Sequence, residues 1–125
     1  FWTYDGVLYN PGGIVVADHI VAHEEQHVKQ QFNYHDPLHD PEGIGSDGWW
    51  KRYLTDPRFR LEQEAEAYGA QYRFVCRHQK ARNQQARFLH VIAGQLSGPL
   101  YQLAVSHQQA REMIEVLAGK KQLKV

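Results

Sequence analysis

The 125-residue chain is 42% hydrophobic and 22% charged, an ordinary globular composition that excludes wholesale disorder and allows one core but not two. No apolar run approaches the roughly 20 residues that cross a bilayer, and no signal-peptide pattern opens the chain, which starts at Phe1 without Met as if continuing an upstream segment. A net charge of zero conceals an asymmetry: residues 1–66 carry 12 acids and 5 bases, whereas residues 67–125 carry 2 acids and 9 bases.

In chain order, "GVLY-NPGG-IVV" predicts a hairpin at residues 7–16, because Asn, Pro and Gly supply a bend between β-branched runs. A helix should follow from about Ala17 to Phe32, with Ala17, Ile20, Val21, Val28 and Phe32 as its apolar stripe. Residues 33–48 are rich in Pro, Gly and Asp and show no period, which reads as a long loop forming the lip of a cleft. Then "GWWKRYLTDP" predicts a short helix ended by Asp56-Pro57. Three more helices are expected near 59–79, 83–96 and 99–118, the last capped by Ser97 or Gly98 with Pro99 in its first turn. The lone cysteine, Cys76, falls in the apolar pattern of the 59–79 helix and reads as a packed small hydrophobe in a reducing compartment. The fold class is α+β, mostly helical, in a single domain over residues 1–125.

Chemistry concentrates in "IVAHEEQHVKQQF", where His23-Glu24-Glu25-Gln26-His27 matches H-E-x-x-H. On a helix, residues four apart share a face, so both imidazoles can reach one ion at about 2.0–2.1 Å. Glu24 then lies beside the metal without binding it, placed to take a proton from a metal-activated water and return it to a leaving amine. Two solvated surface histidines would be the bland alternative, but the pair lies at the edge of the apolar stripe, where a half-buried site belongs.

A catalytic zinc needs a third protein ligand and an open position. No third histidine follows at the short H-E-x-x-H-x-x-G-x-x-H spacing, and His35 lies eight residues beyond His27. The helix "FRLEQEAEAYGAQYRF" offers Glu62, Glu64 and Glu66. Leu61, Ala65, Tyr68, Tyr72 and Val75 define its apolar face; at ~100° per residue Glu64 falls nearest the edge, Glu62 further off and Glu66 toward solvent. Glu64 is therefore the expected ligand and Glu62 its rival. Among tyrosines that could stabilise an oxyanion, Tyr101 in the "SGPLY" turn comes first and Tyr53 second. Trp49 and Trp50 read as cover for a small core or as walls of a groove, and Asp36, His39 and Asp40 as a remote candidate for a second ion.

The segments "AHEEQH" and "ExEAY" together resemble the gluzincins, zinc metallopeptidases with two histidines from H-E-x-x-H and a distant glutamate. More narrowly, "YNP…VAHEEQHVKQQ", "WWKRYLTDPRFRLEQEAEAY" and "LSGPLYQL" resemble metallopeptidase-like proteins encoded by bacteriophages and prophages, over about residues 7–118. The resemblance implies a minimal zincin-like fold, one Zn2+, His23 and His27 as ligands and Glu24 as general base. The family's alanine three residues after the glutamate ligand suits both Glu62 and Glu64, while the E-x-E-A-Y form points to Glu64.

The expected activity is hydrolysis of peptide bonds by metal-activated water, on a peptide or protein substrate, in the cytoplasm of a bacterial host or in association with a virion. A catalytically weak, metal-stabilised structural or assembly module, completed by a partner protein or phage assembly, is the alternative. No membrane partner is expected. Nucleic-acid binding through Arg73, Arg77, Lys80, Arg82 and Arg87 is the weakest reading, since a basic helix face is usually only solvated.

Overall fold

Asp5 and Gly6 hold φ angles of 50° and 78°, the left-handed pair that a two-residue hairpin turn requires. In the computed structural model, which describes residues 1–121, this turn joins β1 (Trp2–Tyr4) to β2 (Val7–Tyr9), antiparallel with Trp2 opposite Tyr9. The hairpin is thus not the one predicted at 7–16. The Asp-Gly dipeptide matches the right-handed twist of the strands, whereas Asn10 to Gly13 only makes a turn, Gly13 N–H donating to Asn10 O at 3.1 Å, before an exposed approach to the first helix.

Five helices follow: α1 (Asp18–Asn33), α2 (Gly45–Thr55), α3 (Pro57–His78), α4 (Arg82–Leu96) and α5 (His107–Leu117), with a 3-10 turn at Pro99–Tyr101. The architecture is the expected α+β, mostly helical. None of these helices is long and apolar enough to cross a membrane. The single helix predicted over 99–118 is two elements, because Gln102 and Leu103 adopt left-handed φ of 60° and 54° that end the first turn. Ser106 then starts α5 through a capping box with Gln109, an S-x-x-Q signal that the proline two turns earlier overshadowed.

α3 is the spine. Asp56 caps it by accepting from the Phe59 amide at 3.1 Å, a bond that holds the Asp56 carboxyl below its ordinary range, and Pro57 takes the first turn, where its missing N–H costs nothing. Leu61, Ala65, Tyr68, Tyr72 and Cys76 form its buried stripe, against Leu89, Ile92 and Leu96 of α4 and Ala110 and Ile114 of α5. Val75, predicted on that stripe, is only partly buried, and Cys76 beside it is the packed residue.

Helix α1 departs from its predicted polarity. Its buried residues are His23, Glu24, His27 and Gln31, while Ile20, Val21 and Val28 are half-buried and Phe32 is 86% exposed. A polar face can be buried only if its groups find partners. Gln31 finds them in the hairpin, donating to Thr3 O and Thr3 Oγ1 at 2.9 Å each, and the Trp50 indole adds a bond to Thr3 O at 2.8 Å. The hairpin is thereby pinned to α1 and α2.

Gly69 lets α3 and α5 approach closely, since a Cβ there would lie 2.8 Å from Leu117 Cβ and 3.1 Å from the Leu117 carbonyl carbon. Gly69→Ala should destabilise the fold by ~1–2 kcal/mol, overpacking outweighing the gain in helix propensity. Gly94→Ala, in α4 with nothing within 4 Å of the new methyl, should instead stabilise by up to about 1 kcal/mol. Urea unfolding of the two variants beside the parent checks the opposite signs.

Candidate metal centre

One turn of α1 brings His23 and His27 together, ring centroids 4.9 Å apart, and α3 delivers Glu64 between them. His23 Nε2 lies 3.1 Å from Glu64 Oε1, and His27 Nε2 lies 3.2 Å from Glu64 Oε2. Their donor atoms all fall within 4.8 Å of one another, and the residues are 9%, 5% and 5% exposed. This is the only such group of metal-ligating side chains among the described residues.

The outer nitrogens define the imidazoles. His23 Nδ1 is 3.0 Å from Gln71 Oε1, and His27 Nδ1 is 2.8 Å from Gln30 Oε1. The amide nitrogens of these glutamines are engaged elsewhere, Gln71 Nε2 with His19 Nδ1 at 2.9 Å and Gln30 Nε2 with Gln63 O at 3.0 Å, which fixes their oxygens toward the histidines. A carbonyl oxygen only accepts, so each Nδ1 carries hydrogen, which leaves the Nε2 of each ring, turned toward Glu64, as the nitrogen that could bind a cation. Sequence reading missed both glutamines. The signal was helical spacing, Gln71 two turns beyond Glu64 and Gln30 one turn beyond His27.

Charge balances inside this cluster. Burial raises the Glu64 pKa, but hydrogen bonds and charge from His23 and His27 outweigh it and hold the carboxyl well below the ordinary range. Burial lowers the His27 pKa, and the bond and charge of Glu64 more than reverse that.

Glu24 lines the same cavity, about 200 Å³ in volume, and is 9% exposed. Its Oε2 is the one buried side-chain polar atom among the described residues with no hydrogen-bond partner. An orphaned carboxylate oxygen beside a convergent nitrogen–nitrogen–oxygen donor set is what a cation and a polarised water would satisfy, so the residues present fit a bound divalent metal.

Three tyrosines complete the cavity. Tyr53 of α2 donates to Glu64 Oε2 at 2.8 Å; Tyr68 of α3 and Tyr101 of the 3-10 turn line the wall. Burial, joined by the Glu64 charge, pushes the Tyr53 and Tyr101 phenols far above their ordinary value, and burial pushes Tyr68 up to about 12. All three therefore remain O–H donors at neutral pH. Both predicted tyrosines reach the site, and Tyr68, read from sequence as core, joins them. Trp49 is 1% exposed, tilted against His27 with centroids 5.4 Å apart, while Trp50 lines the cavity mouth.

Glu62 is not part of the group: its side chain is 58% exposed and pairs with Arg58 at 3.2 Å. Glu66 accepts from Gln26 and Gln30 at 2.6 and 3.2 Å. The 34–44 loop does not form the lip; none of its residues lines the cavity, whose outer wall comes from Phe1, Trp2 and Thr3. The loop is instead tied internally, Asp36 accepting from the His39 amide at 3.0 Å and lying 3.5 Å from Arg52 Nη1, and Asp40 pairing with Lys51 at 3.2 Å. Those carboxylates face protein cations, so the remote second-ion reading has no convergent donor set behind it. Comparison with protein families, curated proteins and solved structures finds no match to this chain.

Proposed function

We propose that this protein is a zinc-dependent peptidase, and the observation that carries the reading is the unpartnered Glu24 oxygen beside His23, His27 and Glu64. Two imidazole nitrogens and one carboxylate suit zinc better than magnesium or calcium, which favour oxygen-only shells. Bound there, zinc would supply Lewis acidity toward a scissile carbonyl and toward water.

The chain's own groups do the rest. Glu24 accepts the proton released as water adds to the carbonyl and returns it to the departing amine. Tyr101 donates its O–H to the developing oxyanion. Tyr53, whose O–H is engaged with Glu64 Oε2, acts as a positioning residue that orients the carboxylate. A second reading, a metal clamp that only staples α1 to α3, draws support from the burial of all three ligands. Glu24 argues against it, because a purely structural site has no use for an unpaired buried carboxylate.

Metal analysis of protein purified without added metal tests this. One zinc per chain is expected in the parent, in Glu62→Gln and in Glu24→Gln, and less than a tenth of that in His23→Ala and Glu64→Gln. Absence of metal from every sample, with none taken up from micromolar zinc, would sink the proposal.

A further inference from the structure

Next to the metal-centre cavity lies a wider, open groove of about 600 Å³, lined by Trp2, Tyr4, Tyr9 and Trp50. Trp2 and Trp50 belong to both walls, so the groove and the cavity adjoin. A third hollow of about 300 Å³, with Ile20, Phe88, Val91 and Ile92 in its lining, shares His23, Glu24 and Tyr68 with the cavity. Hollows thus adjoin the cavity both at the Trp2 and Trp50 wall and at His23 and Glu24, room that the residues flanking a bond inside a polypeptide would need.

The aromatic groove is built rather than incidental. Trp2 and Tyr9 are cross-strand partners with rings stacked 5.5 Å apart at 7°, yet 43% and 41% exposed. The Tyr4 hydroxyl is engaged with the Asp47 carboxylate and the Trp50 indole N–H with Thr3 O, which fixes those walls. Thr3 is held in turn by Gln31, one turn beyond His27 on α1, so the groove keeps a set position relative to the metal ligands. No charged side chain lines it.

Such a surface offers ring faces and little else. A sugar needs hydrogen-bonding groups beside the ring face, and here two of the four polar tips are already bonded. Contiguous exposed aromatics beside a cleft mark a binding surface, and an apolar side chain gains most from them.

Resting on the peptidase reading, we propose that Trp2, Tyr4, Tyr9 and Trp50 form a substrate subsite for a large apolar side chain of an extended peptide crossing the metal centre. Burying one phenylalanine there should tighten binding by about 10- to 100-fold over a charged residue.

The test uses fluorescein-labelled decapeptides of alanine and serine carrying one Phe, Lys or Asp stepped along the chain, with anisotropy read against zinc-loaded Glu24→Gln protein. Phe is expected to be preferred at one position at least tenfold, with the preference falling below about threefold on adding Tyr9→Ala and persisting with Tyr9→Phe. Indole N–H resonances give a readout that needs no groove variant: the Phe peptide should move Trp2 and Trp50 more than buried Trp49. Equal binding of Phe, Lys and Asp peptides, a preference untouched by Tyr9→Ala in folded protein, or unmoved Trp2 and Trp50 resonances would overturn the subsite. Cleavage of the same peptides by the parent protein is scored separately. Selective binding without cleavage would keep the subsite and remove the peptidase.

Discussion

Glu24→Gln is expected to lower kcat/KM for peptide hydrolysis by roughly 10²–10⁴-fold while leaving zinc content unchanged and stability equal or higher. The substitution keeps the side chain's size and removes only its ability to take a proton. Ordinarily a buried carboxylate is lost at a cost, because its hydrogen bonds go with it. Here Oε2 has no partner, so burying it is itself unfavourable and the amide relieves a charge. A variant that gains stability as it loses turnover is the pattern expected of a group retained for chemistry. Glu25→Gln, one position on and exposed, should change neither quantity. Retained hydrolysis in Glu24→Gln would move the proton acceptor elsewhere, and loss of zinc would make Glu24 a ligand.

Much of the site was legible because it is local in sequence or periodic on a helix. His23, Glu24 and His27 are fixed by one turn of α1, and the 3.6-residue period of α3 separated inward Glu64 from outward Glu62. The same reasoning failed where burial was polar. The α1 stripe was assigned to Ala17, Ile20, Val21, Val28 and Phe32, but Ala17 is exposed and the buried face holds His23, Glu24, His27 and Gln31, of which His23, His27 and Gln31 are matched to partners from other elements. Hydropathy cannot show a buried polar face whose partners come mostly from other elements of the fold. The hairpin was misplaced because the loop-rich "NPGG" outweighed the shorter Asp5-Gly6 signal. Residues 33–48 were read as a lip on composition alone, whereas the cleft wall comes from the hairpin, a contact that no local pattern encodes.

The largest loss of stability should come from Trp49→Ala, about 3–5 kcal/mol in metal-free protein. Trp49 is 1% exposed and touches most of what surrounds the centre: it stacks on Tyr53 with centroids 4.8 Å apart, meets Trp50 and Phe59 edge-on and leans on His27. Its indole N–H donates to Gln63 Oε1 at 2.9 Å, tying α2 to α3. Truncation removes the ring against which both the His27 imidazole and Tyr53, the hydrogen-bond donor to Glu64, are packed. Zinc affinity should therefore fall by about 10- to 100-fold, the scale seen when a ligand's support is removed. Trp49→Phe separates packing from polarity, because it refills most of the space but leaves Gln63 Oε1 without its donor, for an expected cost of about 1–3 kcal/mol. Metal-free protein is the right reference, since bound zinc adds its own linkage to the measured stability. Urea unfolding and competition against a zinc-binding dye decide the matter together. A large loss of stability with zinc affinity unchanged would mean that α1 and α3 alone align His23, His27 and Glu64, leaving Trp49 as core and nothing more.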